Sequence, residues 1–547
     1  MEHEKLEIED TNFEYLVLGT DLPESIIGAA LASRGHTCLN IDSDFMYSGT
    51  LKTLNMRELK RFIDLQATSG KDHLIRDLKI EFCSDRFDSL DKVIETVGFR
   101  SFNFDFEPKF IYSDSYATKE LVAIGIDNYI SFRPIKDVSI SCKGEVQKLP
   151  LSKSLLMKTK TLSFKEKKSL IETVEVLQKF VQRYLGETDL NSIKDFEKEI
   201  YSLEMTDKFS RLKDSLDLHH SHIFKILLGD SSTRLIEDFI RYAICNCKHP
   251  IEVDQSTCRE VLTRFSLFIK SSGVHDMFPY LYPIYGIGDL SQVFSRIAAL
   301  NNAIFLINPL FELTSLTKKE TDEGYELLVK QGEHSYAFSV KKLVVGQQYT
   351  SKVRELLSIP PSYAPEVCKK ILLICENKQP NPDFEYPIFA AYPEQSEGIG
   401  NQNPINVYMF GPNTHATKEN YFCFHISYMS SKPEDYSTRE LVEKIVNSFN
   451  KSKQLDLEPQ FFISFDRLME RVNEFATHDS SLVFAPSFGQ DVTIESAFVQ
   501  SRRFLHSAGI LTSDDDKLVI KKQPESDSNT KNNDDKLIEE LKAFKFD

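Results

Sequence analysis

Phe13-Glu14-Tyr15-Leu16-Val17-Leu18-Gly19-Thr20-Asp21-Leu22-Pro23-Glu24 is the stretch on which the fold turns. Its first half, Phe13–Leu18, is a short apolar run that predicts a strand ending in Gly19. Apolar spacing then predicts a helix from about Pro23 to Ser33, and Thr37–Ile41 reads as a second strand ending in Asp42. Strand, glycine turn, helix, strand and an acid about 20 residues past the turn is the order of a dinucleotide-binding fingerprint, in which that acid holds a ribose. The glycines break the pattern. Gly-x-Gly-x-x-Gly is required, and Asp21 and Glu24 occupy the second and third glycine positions. Glycine there lets backbone reach the pyrophosphate and lets helix and strand pack closely. Two carboxylates instead add bulk, and bring negative charge to a helix start whose amides and dipole otherwise hold an anion. Asp21-x-x-Glu24, with Pro23 near the first helical position, predicts a capping box in its place. The expected fold class is α/β, a FAD/NAD(P)-binding-like mixed domain without cofactor.

Composition narrows the function. The 547 residues predict two to three domains. A formal charge of −16 argues against nucleic acid as partner, because neutralising phosphate needs clustered Lys and Arg. Tryptophan is absent and phenylalanine numbers 40, so the core is Phe-rich. Nine scattered cysteines with no Cys-x-x-Cys, and only Cys245-x-Cys247 close together, predict a reducing compartment and no metal site. The first ten residues lack an apolar signal core and no run approaches 18 apolar residues, which predicts a cytoplasmic protein.

Farther along, Leu54–Leu65 predicts a helix, Leu78–Ile80 a short ordered stretch, and Leu121–Phe132 and Val138–Cys142 strands, with a turn before Val146–Leu149. The period then changes. Ser163-Phe164-Lys165-Glu166 is a capping box, and Leu170, Ile171, Val174, Leu177, Val181 and Leu185 follow at helical spacing. Further helices are expected at Ile193–Glu204, Leu216–Leu228, Thr233–Cys245 and Cys258–Ile269, an all-helical insertion. Several carry more bulky residues than one stripe requires, among them Ile223, Phe224, Ile226, Leu227, Leu228, Leu235, Ile236, Phe239 and Ile240. They predict either a buried helical core or a lipid-sized groove between helices. His219-His220-Ser221-His222 crowds three histidines onto one helix too closely for all to face one ion, and reads as a solvated face. After Gly273 strands return at Ala303–Ile307, Glu326–Lys330, Ala337–Leu343, Ile371–Cys375, Tyr386–Ala390 and Tyr421–Tyr428, with a helix at Thr438–Ser448. From about Ser513 the chain turns acidic and polar, and Gln523–Asp535 has too little apolar area to order itself. A short amphipathic helix is read at Leu537–Phe546. The expected division is a mixed domain in two parts, 1–149 and 273–512, a helical domain at 150–272, and a tail at 513–547.

The most specific block runs from Pro279 to Arg296: three tyrosines, the turn Gly286-Ile287-Gly288-Asp289, then a helix from near Leu290. It resembles the tyrosine- and glycine-rich block of the Rab GDP-dissociation inhibitor and Rab escort protein superfamily. The segments Leu18–Ser25 and Asp42–Gly49 resemble that family's opening segment with its tyrosine–glycine turn. Those proteins are similar in fold to flavoprotein monooxygenases but use no FAD. Within the superfamily, Leu22–Ser25, Leu149–Ser163 and the length look more like the escort branch. The resemblance implies a non-catalytic accessory subunit. It would bind GDP-bound, unprenylated Rab GTPases, present them to Rab geranylgeranyltransferase, shield the attached geranylgeranyl lipid and deliver the product to membrane by transient contact. An inhibitor that extracts prenylated Rabs is the alternative, and an FAD-dependent oxidoreductase a second.

Three Rab-binding positions carry over by motif: Tyr47 after the second strand, Asp289 in the glycine turn and Arg296 on the following helix. Tyr47 offers apolar area with a polar tip, while Asp289 and Arg296 offer charge-assisted hydrogen bonds. The bland alternative makes Asp289 a helix cap paired internally with Arg296. The family departs from this chain at Asp289, where Glu is usual, at Ser48, where glycine is usual, and at Asn301-Asn302-Ala303-Ile304, where a glycine pair often stands.

Overall fold

The computed structural model describes residues 10–520 apart from 70–73, 161, 185–202, 229–233, 251–253, 321–323, 361–365, 431–436, 470–474, 480, 487–490 and 514–515. Two eight-stranded sheets organise the chain.

In the first sheet the opening strand, Asn12–Leu18, lies between Cys38–Asp42 and His334–Val345, parallel to both, and Ile304–Ile307 adds a parallel edge beyond Cys38–Asp42. Tyr15 and Val17 point to one face and Leu16 and Leu18 to the other, as a period of two demands. The run from Tyr15 to Leu18 is apolar because helices Leu22–Ser33, Gly288–Leu300 and Glu495–Ser507 cover one face, while the Phe311–Lys318 and Tyr325–Gln331 hairpin, which continues the sheet antiparallel from His334–Val345, and helix Gln347–Leu356 share the core on the other. The fingerprint elements are as the sequence predicts.

The second sheet runs Ile75–Phe82, Leu457–Met469, Glu366–Asn377, Tyr421–Ser430, Ile405–Phe410, Ile388–Tyr392, Asp137–Cys142, Glu145–Lys148. Only the pairing of Ile388–Tyr392 with Asp137–Cys142 is parallel. Helix Thr438–Lys453 fills one face. The other receives the helical segment, whose Ile223, Phe224, Ile226, Ile236, Phe239 and Ile240 share a core with Phe389, Tyr408 and Phe410. The surplus apolar residues therefore build core. The Phe-rich composition is accounted for in part here: Phe110 alone touches the rings of Tyr280, Tyr282, Phe389, Tyr408 and Phe410.

Between Lys153 and Ser271 each described helix or strand element is helical, and Arg234–Asp238 continues as a π-helical turn, Phe239–Ile244. The capping box at Ser163 is formed in both directions: the Ser163 amide donates to Glu166 at 2.6 Å, and the Glu166 amide donates to Ser163 Oγ at 3.3 Å. The last described residues reach Ile520, and Leu518 and Val519 join the core beneath helix Leu22–Ser33. The helix read at Ile193–Glu204 falls mostly outside the described residues, and the segments Gln523–Asp535 and Leu537–Phe546 fall outside them entirely.

Three expectations are corrected. Leu121–Phe132 is not a strand. Helix Tyr116–Ala123 ends inside it, capped at its start by Ser115 and by Glu495, which accepts from the Tyr116 and Ala117 amides, and it buries Ala117, Glu120 and Leu121 at helical spacing. Leu54–Leu65 opens as a short strand, Thr53–Asn55, before helix Met56–Ser69. His219–His222 is no solvated face. His220 is fully buried, Arg241 Nε donates to its Nε2 at 3.2 Å, and burial pushes it down to about 4, so it stays neutral and accepts. Among the described residues no helix is long and apolar enough to cross a membrane, and no cluster of His, Cys, Asp and Glu has the make-up of a metal site.

Candidate functional site

The turn after the opening strand is where a pyrophosphate would approach, and side chains fill it. Gly346, at the end of the neighbouring parallel strand, donates its N–H to the Leu18 carbonyl at 2.7 Å. A Cβ on Gly346 would stand 2.5 Å from Glu24 Oε1, so glycine at 346 makes room for the Glu24 side chain. Glu24 accepts from the Gln347 amide and is buried, as is Asp21. The expected capping box does not form: Asp21 sits at the helix cap with no side-chain cap bond and turns instead to Thr50, accepting from its amide at 3.2 Å and its hydroxyl at 2.5 Å. Burial drives this, since a carboxyl sealed from water takes the donors its pocket offers.

Asp42, the acid in the ribose position, is saturated from within. Its carboxylate accepts from Thr20 Oγ1 and Gln348 Nε2 at 2.6 Å each, from the Asp44 amide at 3.1 Å and from the Tyr349 hydroxyl at 3.2 Å. Burial pushes Asp21 and Asp42 up to about 6 and Glu24 well above the usual carboxylate range, the charge of Asp21 adding to the effect on Glu24. Burial thus weakens the charge at the helix start without abolishing it, and volume and internal hydrogen bonding fill the turn. These residues do not fit a dinucleotide cofactor.

The Pro279–Arg296 block is pinned beside this turn. Asp105 is fully sealed from water and accepts from the Tyr282 hydroxyl at 2.7 Å and the Ile287 amide at 2.8 Å. Burial lifts it to about 7. At Gly286, φ is +142° and a Cβ would stand 2.3 Å from Thr53 Oγ1, so only glycine lets the turn close on the 51–53 segment. Ser48 Oγ donates to the Gly288 carbonyl at 2.7 Å and ties the Tyr47 turn to the Asp289 turn.

The three site residues expected from sequence are placed as follows. Tyr47 is half-buried, its ring 5.8 Å from that of Phe305 on the edge strand Ile304–Ile307. Asp289 lies in the first turn of helix Gly288–Leu300, partly buried and pushed up to about 6 by desolvation. Arg296, two turns along the same helix face, is exposed and lies 5.8 Å from the centre of the Tyr129 ring. Asp289 makes neither the cap bond nor the ion pair with Arg296 that the bland alternative requires, and among the described residues neither side chain has an ion-pair partner. The structure therefore joins Tyr47 to Asp289 through Ser48 and Gly288, and leaves Arg296 farther along the helix. Asp105 was missed: its Asn103-Phe104-Asp105-Phe106 setting carries no chemical motif, although the alternation of Phe102, Phe104 and Phe106 signals the strand that presents it.

A family model described as GDP dissociation inhibitor matches residues 76–358, over half of the chain. The chain belongs to the GDP dissociation inhibitor family. The matched stretch contains Asp289 and Arg296, whereas Tyr47 and the Gly19 turn lie before it. Guanosine nucleotide diphosphate dissociation inhibitor 2 of Arabidopsis thaliana is 25% identical over 350 residues, covering 63% of this chain and 66% of the relative. Rab escort protein 1 of the same plant is 23% identical over 374 residues, covering 64% and 63%. The chain thus spans just under two thirds of the length of these relatives. Among solved structures, the Rab GDI of Plasmodium falciparum matches with a TM-score of 0.62 at 16% identity over 91% of this chain and 98% of that one, a likeness of fold.

Proposed function

We propose that this family member binds GDP-bound Rab GTPases before they are prenylated, presents them to Rab geranylgeranyltransferase and accompanies the geranylgeranylated product to membrane. It would do so as a non-catalytic, cytoplasmic accessory component. The observation that carries the GTPase reading is Asp289 and Arg296: two groups of opposite charge on one helix face, neither with an ion-pair partner within the described fold. Charged groups left unpaired at a surface are available to orient a partner, and the half-buried Tyr47, on the turn tied to Gly288, supplies an aromatic anchor on the Asp289 side. The helical segment 150–272 is assigned to lipid and transferase contact, and 273–512 to the GTPase platform.

Inhibitors that extract prenylated Rabs are the second reading, favoured by near-equal identity to relatives of both names. Reconstitution separates them. Purified Rab, transferase and labelled geranylgeranyl donor, with and without this chain, should give prenyl transfer that depends on the chain. Transfer at the same rate without it, together with extraction of prenylated Rab from membranes, assigns the inhibitor role instead.

A further inference from the structure

One face of the molecule runs against its overall charge. Between residues 153 and 168 stand six lysines and a single glutamate, in a chain whose formal charge is −16. Helix Lys153–Lys158 and the first turns of helix Phe164–Tyr184 carry five of them, with Lys160 in the link between, together with three large apolar side chains turned to solvent: Leu155 at 39% exposure, Met157 at 50% and Phe164 at 71%. An exposed cluster of this kind marks an interaction surface more often than a scatter of single residues does.

The face is rigidly presented. Leu156, Leu162 and Leu170 from the same segment are buried in the core shared with the second sheet, which clamps both helix ends from beneath. Ser152 caps the first helix and the Ser163–Glu166 box starts the second, fixing Phe164 as the first helical residue. Lys167 Nζ donates to the Met157 carbonyl at 2.9 Å and so draws the start of the second helix over the end of the first. Lys153 pairs with Glu175, Lys168 with Glu172, and Glu166 lies near Lys143. Lys158, Lys160 and Lys165 have no ion-pair partner among the described residues and are exposed.

We infer that this surface docks on an anionic lipid bilayer. Lysine flanking exposed Phe, Leu and Met is the combination that lies in a headgroup layer, the apolar tips entering the acyl boundary and the ammonium groups meeting lipid phosphates and carboxylates. A chain of net charge −16 is repelled on the whole by such a membrane, so contact is favoured through a locally basic face. A peptide partner would need walls, and Phe164, with most of its surface free, stands on none. Clefts of about 520 Å³ beside Arg57 and Asp91, and of about 480 Å³ beside Phe384 and Tyr386, are lined by other residues. The inference extends the proposed function by naming the face used at the membrane. It rests on the surface itself, and is tested without any GTPase, so its failure and that of the GTPase reading are separable.

The chain contains no tryptophan, which makes Phe164→Trp a unique reporter. On vesicles of equal parts phosphatidylserine and phosphatidylcholine its emission should shift to the blue and be quenched by brominated acyl chains, and neither should occur on phosphatidylcholine alone. In co-flotation of the otherwise unaltered full chain, Met157→Asp with Phe164→Asp, and separately Lys158→Glu with Lys160→Glu and Lys165→Glu, should each lower the bound fraction about tenfold or more. Val122→Asp, at a position also 68% exposed, should leave it unchanged. An unshifted Trp spectrum on mixed vesicles overturns the inference whatever the folding of the charge variants. Equal flotation of all variants overturns it too, as does lysine-dependent binding to polyglutamate with vesicle binding unaffected, which assigns the face to an acidic protein segment.

Discussion

Ser48 holds a left-handed backbone, φ +85°, while its hydroxyl reaches 2.7 Å to the carbonyl of Gly288. The position is thus one that glycine would suit, held by a residue whose side chain staples two loops of the site. Left-handed geometry costs a non-glycine residue about 1–2 kcal/mol, and the hydrogen bond returns roughly 1 kcal/mol. Ser48→Ala keeps the strain and loses the bond, so urea unfolding should show a loss of about 1–2 kcal/mol. Ser48→Gly loses both and should be close to neutral in stability. Equal losses in the two variants would mean that the left-handed backbone stores no strain, and an unchanged stability in Ser48→Ala would mean that the hydroxyl contributes nothing.

The Gly286 turn admits a sharper test. Gly286→Ala drives a methyl into Thr53 Oγ1 and Cγ2, 2.3 and 2.8 Å from its ideal position. Overpacking against a buried turn costs about 1–3 kcal/mol, and the backbone conformation adds to it. Thr53→Ala removes both colliding atoms, so adding it to Gly286→Ala should recover part of the loss. A thermal melt of the four proteins gives the coupling; additive losses would place the clash elsewhere.

Asp105 should make the fold less stable as pH rises. Its carboxyl protonates near 7 in the folded chain and near 4 when unfolded. The folded chain therefore binds more protons between those values, and stability falls through the window from about pH 4 to about pH 7, levelling above it. Asp105→Asn keeps an oxygen for Tyr282 and Ile287 but cannot ionise. Denaturant midpoints at pH 5 and pH 8 should differ less in the variant than in the parent. An identical difference in both removes Asp105 from the account; Asp21, Glu24 and Asp42 act in the same direction in each.

What the sequence made legible follows from where its information is local. Phe13–Leu18, Pro23–Ser33 and the Ser163 box are decided by periodicity and caps within a few residues, and they stand as read. Leu121–Phe132 failed because β-branched residues outvoted a cap, Ser115, and a distant carboxylate, Glu495, that no window contains. His220 failed likewise, since its partner Arg241 comes from another helix. At the site, Asp21 and Glu24 were rightly seen as filling the phosphate turn, but their charge state depends on Thr50, Gln347 and Gly346, brought in by tertiary contacts.

The GTPase reading can be probed residue by residue. Truncating Tyr47 or Arg296 to Ala should weaken binding of a GDP-bound Rab by about 1–3 kcal/mol, the range for an interface anchor, with little change in stability because neither is deeply buried. Asp289 adds a pH signature. Desolvation holds its carboxyl up to about 6 in the free chain. A cationic group on the partner favours the ionised form, so binding should expel a proton and affinity should rise from pH 5 to pH 7, then level. Asp289→Asn should flatten that rise while leaving the Tyr47 and Arg296 effects in place. Calorimetry at both pH values measures affinity and proton release together. A parent and variant with the same pH slope would show that Asp289 faces no cation, and the orienting role would pass to Arg296 alone.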